Sequence, residues 1–278
     1  METRFNKKPK RRLKWLNLRA DWADKLPLRT LALVLAAILV IFMLLLINAP
    51  SSSYLDSAEV GILRSRDILR VGVDTYTFGM SNNGRGLEIS MTEALSEAVF
   101  GEPDACETVE CTRQNVAWYF ADGKIDLAIM SLPSLSGYSA TELPFYIDAV
   151  VLMGYGGTET LAGKKIAVLY GTSTETVLNK YIETESPETL AVPYADYYDM
   201  LLALRAGTVD YVCMTRTAAL SHKSEQLVIL PGRIGTVEYH ILTKPTETTI
   251  LSVSDALLAR WITDGTLGNW YKEFRLTY

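Results

Sequence analysis

Histidine and cysteine are scarce in this 278-residue chain, with two of the first and three of the second. His222 and His240 have no metal-ligand spacing around them, so the pattern offers no histidine-based metal centre. There is no Gly-x-Ser-x-Gly turn, and no Ser/His/Asp set can be placed. Catalysis therefore has little support, no cofactor is expected, and His240 reads as a structural residue. Internal repeats and low-complexity tracts are also missing, which removes repeat architectures. Long apolar runs are lacking too, with one exception. Thr30–Ala49 reads TLALVLAAILVIFMLLLINA and carries no charge. At ~1.5 Å per residue it makes about 30 Å of helix, the thickness of a bilayer core.

That run divides two segments of opposite charge. Residues 1–29 hold ten Lys/Arg against Glu2, Asp21 and Asp24, a net +7. The remainder holds 17 basic and 29 acidic residues, a net −12. The positive-inside rule puts the basic tail in the cytoplasm and the acidic part outside the cell membrane. The run exceeds the ~7–15 residues of a signal-peptide core. Pro50 follows Ala49 directly, and no cysteine stands just after the run to take a lipid. These features point to an uncleaved, single-pass signal anchor. The basic cluster then reads as a topology signal and a contact to anionic membrane lipid, not as a nucleic-acid site.

The organisation expected is a cytoplasmic tail (1–29), a transmembrane helix (30–49), a tether (50–66) that opens on the polar break Pro50–Ser53 and whose residues 54–66 also suit a first helix, and a domain over 67–278. An exported setting permits a disulfide. Cys106 and Cys111 lie five apart. Across an extended strand their Cα atoms would be ~16 Å apart, beyond the ~7 Å a bridge tolerates, so pairing needs a turn between them. Cys213 sits in an apolar run and reads as a small buried residue.

The outer segment alternates between strand and helix. Short β-branched or apolar runs at Ile68–Val73, Ile125–Met130, Ala149–Gly154, Lys165–Leu169, Leu190–Val192, Val209–Met214, Leu227–Leu230 and Tyr239–Leu242 read as strands. Ile89–Phe100, Val116–Phe120, Glu175–Ile182, Tyr197–Ala206, Thr249–Trp261 and Gly265–Phe274 read as helices. The alternation argues an α/β fold with largely parallel sheets. Two units of about five strands suit it better than one long sheet.

The order of local patterns resembles the family 3 extracellular solute-binding proteins, the receptors of polar amino acid uptake systems, over most of residues 67–275. Asp67–Asp74 (DILRVGVD) is similar to the family's opening strand, and Tyr76-Thr77-Phe78 falls where the family has Tyr-Pro-Phe. Gly86–Met91 resembles its Gly-aromatic-Asp-Val-Asp-Leu. Asp122–Ser131, Leu161–Val168 with Gly171-Thr172-Ser173, Ala206–Asp210, and Asp264-Gly265-Thr266 with Trp270-Tyr271 complete the series. The resemblance implies a two-lobed periplasmic-binding-protein type II fold with two hinge strands. Lobe 1 would cover about 67–148 and 240–278, and lobe 2 about 150–236. Ligand would sit in the cleft between them.

The resemblance also implies site residues. Tyr76 and Phe78 fall where family members stack a ring over ligand, although Phe78 also suits plain core. Ser131 and Ser134 match hydroxyl positions that hydrogen-bond ligand, and Pro133 beside them also fits simple turn chemistry. Gly171, Thr172, Ser173 and Thr174 precede or open a helix, where free N–H groups suit an anion. Against that, Thr172 or Ser173 would also serve as an ordinary helix cap. Two departures matter more. Ser139 stands where the family has the Arg that clamps an α-carboxylate, and Thr215 where it has the Asp that holds the α-amino group. Ser90 likewise replaces an acid. Losing a bidentate Arg removes several kcal/mol in order of magnitude, so a free amino acid held in the usual way is not expected. Arg85 and Arg216 read as surface or ion-paired residues.

Three functions are compatible with these features. The first is a membrane-anchored receptor that passes a small polar or anionic solute to an ABC permease. The second is a sensor or interaction domain with a degenerate cleft, acting on another membrane protein. The third is a dehydratase-like enzyme, for which no residue set was found.

Overall fold

The computed structural model describes residues 58–73, 80–81, 84–156 and 160–276. The apolar run Thr30–Ala49 and the basic tail lie outside them. Among the described residues no helix is long and apolar enough to cross a membrane.

The described chain opens with helix α1 (Ala58–Ser65), inside the segment for which the sequence leaves a tether and a first helix both open. Leu63 of α1 is 2% exposed and belongs to the main core. Strand β1 (Leu69–Val73), helix α2 (Leu87–Phe100), strand β2 (Cys106–Glu110), the short helix α3 (Val116–Ala121) and strand β3 (Leu127–Met130) follow. Gly101 ends α2 with φ 81°, and its N–H bonds to the Glu97 carbonyl, a left-handed cap that needs no Cβ. The order continues with β4 (Ser139–Ala140), β5 (Tyr146–Gly154), β6 (Lys165–Leu169), α4 (Ser173–Glu185), β7 (Leu190–Tyr194) and α5 (Tyr197–Arg205). It closes with β8 (Tyr211–Thr215), α6 (Arg216–His222), β9 (Val228–Ile229), β10 (Gly235–Thr243), α7 (Thr248–Thr263) and α8 (Thr266–Glu273).

The strands run β2-β1-β3-β10-β5-β8-β6-β7, with β4 on β10 and β9 on β5. The outer strands pair in parallel, as the alternation predicts: β1 with β2 and β3, and β6 with β7 and β8. The centre does not. Every pairing of β5 and β10 is antiparallel, because the chain leaves the first half along β5 and returns along β10. Each of these nine-residue strands changes partner part-way. Gly235–Tyr239 of β10 pair with β5, and His240–Leu242 pair with β3. Tyr146–Val150 of β5 face β10, and Val150–Met153 face β8. The two halves of the sheet are therefore joined through β5 and β10.

Two aspartates read as family motif do matching structural work, one per half. Asp126 accepts from Arg70 N–H at the start of β1 (2.9 Å) and pairs with Arg66 at 2.6 Å. Asp210 accepts from Lys165 N–H at the start of β6 (2.8 Å) and from Lys164 Nζ at 3.0 Å. The amide bond from Lys165, then the Lys164 ammonium, hold the Asp210 carboxyl below its ordinary pKa.

The permitted Cys106–Cys111 bridge is not formed, and both thiols are free. Cys106 begins β2 and Cys111 follows its end, so the intervening backbone is extended and carries the sulfurs out of reach. Cys111 is instead buried with Val116, Phe120 and Ile125. Cys213 is fully buried in β8, as its apolar setting predicts.

Candidate functional site

A cavity of about 350 Å³ opens where β5 and β10 link the halves of the sheet. The first half contributes Thr112, Arg113, Met130 and Ser131. The second contributes Thr172, Ser173, Thr174, Tyr197 and Thr215, and Val237 and Tyr239 of β10 line it between them. A further cavity of about 240 Å³, lined by Pro133, Thr176, Glu238 and His240 among others, shares Ser131, Ser173 and Val237 with the first.

Ser131 follows the wholly buried strand β3, and Ser173 is the first residue of α4. Their hydroxyl oxygens lie 2.8 Å apart, so a hydrogen bond links the two halves beside the cavity. Helix α4 is seated directly on β10, since a Cβ on Gly235 would stand 2.6 Å from Val177.

The start of α4 caps itself. Thr172 Oγ1 donates to the Leu169 carbonyl (2.6 Å) and accepts from Glu175 N–H (3.2 Å). The Glu175 carboxylate accepts from Gly171 N–H at 2.5 Å. This satisfies part of the helix start and places a carboxylate of the protein there. The cap reading of Thr172 therefore holds, and Thr172, Ser173 and Thr174 line the cavity as well.

Thr215 caps α6, accepting from Ala218 N–H at 3.3 Å, and stands 3.2 Å from the Thr217 hydroxyl. Behind this pair lies Asp148 of β5, which is 0% exposed. One carboxylate oxygen accepts from Thr217 Oγ1 (2.5 Å) and Thr217 N–H (3.2 Å), while the other has no hydrogen-bond partner. Burial pushes the Asp148 carboxyl above its ordinary pKa, and the bonds from Thr217 only partly offset that.

Other expected positions stand apart. Ser134 is exposed, and its hydroxyl accepts from Ser136 N–H at 3.2 Å, the local turn bond that Pro133 foretold. Ser139 pairs with Thr243 in β4 and lines neither cavity. Ser90 lies in α2, Arg85 is exposed, and Arg216 opens α6. Tyr76 and Phe78 lie outside the described residues. His240 Nδ1 donates to the Thr141 carbonyl at 3.0 Å, and Nε2 faces Glu238 at 3.6 Å, within β10. Among the described residues no group of three or more His, Cys, Asp or Glu could hold a metal ion.

The residue that sequence patterns missed is Arg113. It stands in the turn between β2 and α3, fixed by Thr112 N–H donating to Asn115 Oδ1 (2.8 Å) and Val116 N–H donating to the Thr112 carbonyl (3.0 Å). From there it reaches the second half. A Cβ on Gly171 would stand 3.0 Å from Arg113 Nε, and Gly171 has φ 69°, so both its space and its backbone call for glycine. Desolvation draws the Arg113 guanidinium below its ordinary pKa, opposed by Tyr197, Glu175 and Tyr170. Its Nη2 is buried without a hydrogen-bond partner. No motif marks this arginine. Its only signal is a lone cation between a strand and a helix.

No known protein family matches the sequence, and no curated protein matches it. Solved structures do. ArgBP from T. maritima, in a mutant form, superposes with TM-score 0.64 at 18% identity, covering 79% of this chain and 100% of that one. This is the periplasmic-binding-protein fold. The solute receptor for L-cysteine of Neisseria gonorrhoeae shares it with TM-score 0.63 at 17% identity, over 77% of this chain and 92% of the other. An ABC transporter periplasmic binding protein from Brucella ovis, with glutathione bound, gives 0.62 at 19%, over 72% and 69%.

Proposed function

We propose that this chain is a membrane-anchored, extracytoplasmic solute receptor that delivers a small polar or anionic solute to an ABC permease. The observation that carries the reading is the 350 Å³ cavity, lined from both halves of the sheet and by the strand that joins them. That volume suits a small solute. Strands β5 and β10 would act as the hinge, and closure would shut the cleft around the ligand and exclude water. The similar structures named above include receptors and an ABC-transporter binding protein, which supports the same class. The charge asymmetry around Thr30–Ala49 supports an anchor with the cavity-bearing part outside.

The test is a thermal-unfolding screen of the full-length chain in mild detergent against a solute library, paired with small-angle scattering. A ligand at 100 times its dissociation constant stabilises by ~2.7 kcal/mol, which a melting shift reveals. The expected result is one chemical class that raises Tm by several degrees and compacts the particle. A library that changes neither quantity rejects the receptor reading.

A further inference from the structure

Resting on the receptor reading, we propose that Arg113 grips the acidic end of the solute, and that the solute carries no charged amine. Arg113 brings a guanidinium from the first half of the sheet into a cavity whose far wall belongs to the second half. Its Nη2 is cut off from solvent and has no acceptor. A guanidinium cannot shed its charge, so a buried N–H without a partner is a standing cost, relieved once movement of the cleft lets an oxyanion reach the fork. The planar fork offers two parallel N–H groups, the match for a carboxylate or a tetrahedral oxyanion.

The rest of the cavity narrows the class. Among the described residues Asp196 is its sole acidic lining residue; it is exposed, and its carboxylate is engaged by Asp199 N–H at 2.8 Å. Glu175 lies near Arg113 but is held by Gly171 N–H. Asp148 lines neither cavity and is tied to Thr217. Where an amine-binding acid is expected the wall presents Thr215, a neutral hydroxyl already engaged in capping α6. Among the described residues the cavity thus offers one unpaired cation and no free buried anion. A zwitterion would leave its ammonium desolvated and unmatched.

The experiment measures thermal unfolding of the full-length chain in mild detergent. The probes are inorganic phosphate, sulfate, acetate, succinate, acetamide, succinamide and glycine, each at about 10 mM. Wild type should be stabilised by at least one oxyanion and by neither amide nor glycine. A response to phosphate or sulfate alone assigns a tetrahedral oxyanion, and a response to acetate or succinate assigns a carboxylic acid. Arg113→Met keeps the stem length and should bind the active probe at least tenfold more weakly. Without any probe it should melt at or above the wild-type temperature, because the unpaired guanidinium is gone. Arg113→Lys keeps a point charge and should retain part of the response. An oxyanion that stabilises Arg113→Met as well as wild type overturns the proposal, and so does a lower melting temperature of that variant without probe. Stabilisation by amides or glycine alone overturns it too, while leaving the receptor reading standing. Silence from these probes and from the whole library rejects both.

Discussion

Asp148 is a buried side chain with one carboxylate oxygen left unsatisfied. Its carboxyl is fully buried, half satisfied by Thr217, and displaced upward from its ordinary pKa of 3.8 by desolvation. Between that value and the raised folded-state value, the native protein holds a proton that the unfolded chain has released. Stability from this group is therefore present below pH 3.8 and lost as pH rises through the folded value. Each tenfold displacement of such an equilibrium is worth about 1.4 kcal/mol. Asp148→Asn keeps an acceptor for Thr217 and never ionises. Denaturant unfolding from about pH 4 to about pH 8 should show the variant gaining on wild type as pH rises. A stability difference that stays constant over that range refutes the assignment. Neither Arg113 as a cavity residue nor Asp148 as the carboxyl behind Thr217 was legible in the sequence. Each acquires its role from partners on other elements, Asp148 from Thr217 and Arg113 from the loop at Gly171. Thr215, Ser131, Thr172, Ser173 and Thr174, expected from the resemblance, do line the cavity, and each sits at a strand end or helix start within a motif of fixed order.

Among the elements, the first turn of α4 bears the most weight at the cavity. Thr172 ties the end of β6 to the helix with one hydroxyl, donating to Leu169 and accepting from Glu175. Thr172→Ala should destabilise the protein by about 1 kcal/mol, the usual worth of such a cap, and Thr172→Ser should restore most of it. Urea unfolding would measure both, and an Ala variant equal to wild type would mean that the turn is held by Glu175 and Gly171 alone. The main strands were readable from buried runs: Lys165–Leu169 has the ends the sequence predicts, and β3 is buried at all four positions. Strand β2 was not readable, because CETVE lies at the sheet edge, mostly exposed, with no apolar period. Helix α6 was missed because it starts at once after β8, with Thr215 ending one element and capping the next. The antiparallel centre was hidden for a different reason. Strand direction in β5 and β10 depends on the route of the whole chain, which no local pattern encodes.

For the whole molecule, the two long strands give one simple consequence. Every path from the first half of the sheet to the second runs through β5 or β10, so a cavity between the halves changes shape whenever those strands bend. The proposed receptor role requires that this cavity face the outside. The proposal assigns that orientation to the charge step around Thr30–Ala49, with +7 before the run and −12 over the remainder of the chain. The step is concentrated. Lys7, Lys8, Lys10, Arg11, Arg12 and Lys14 supply six of the ten basic residues within eight positions. Replacing these six with Gln or Ser should weaken the orienting signal and leave a fraction of molecules inverted. Protease added to intact spheroplasts should digest the wild-type domain completely and spare that inverted fraction in the variant. A wild-type domain that resists digestion until the membrane is broken would place the cavity on the cytoplasmic side, and an extracytoplasmic receptor could not work from there.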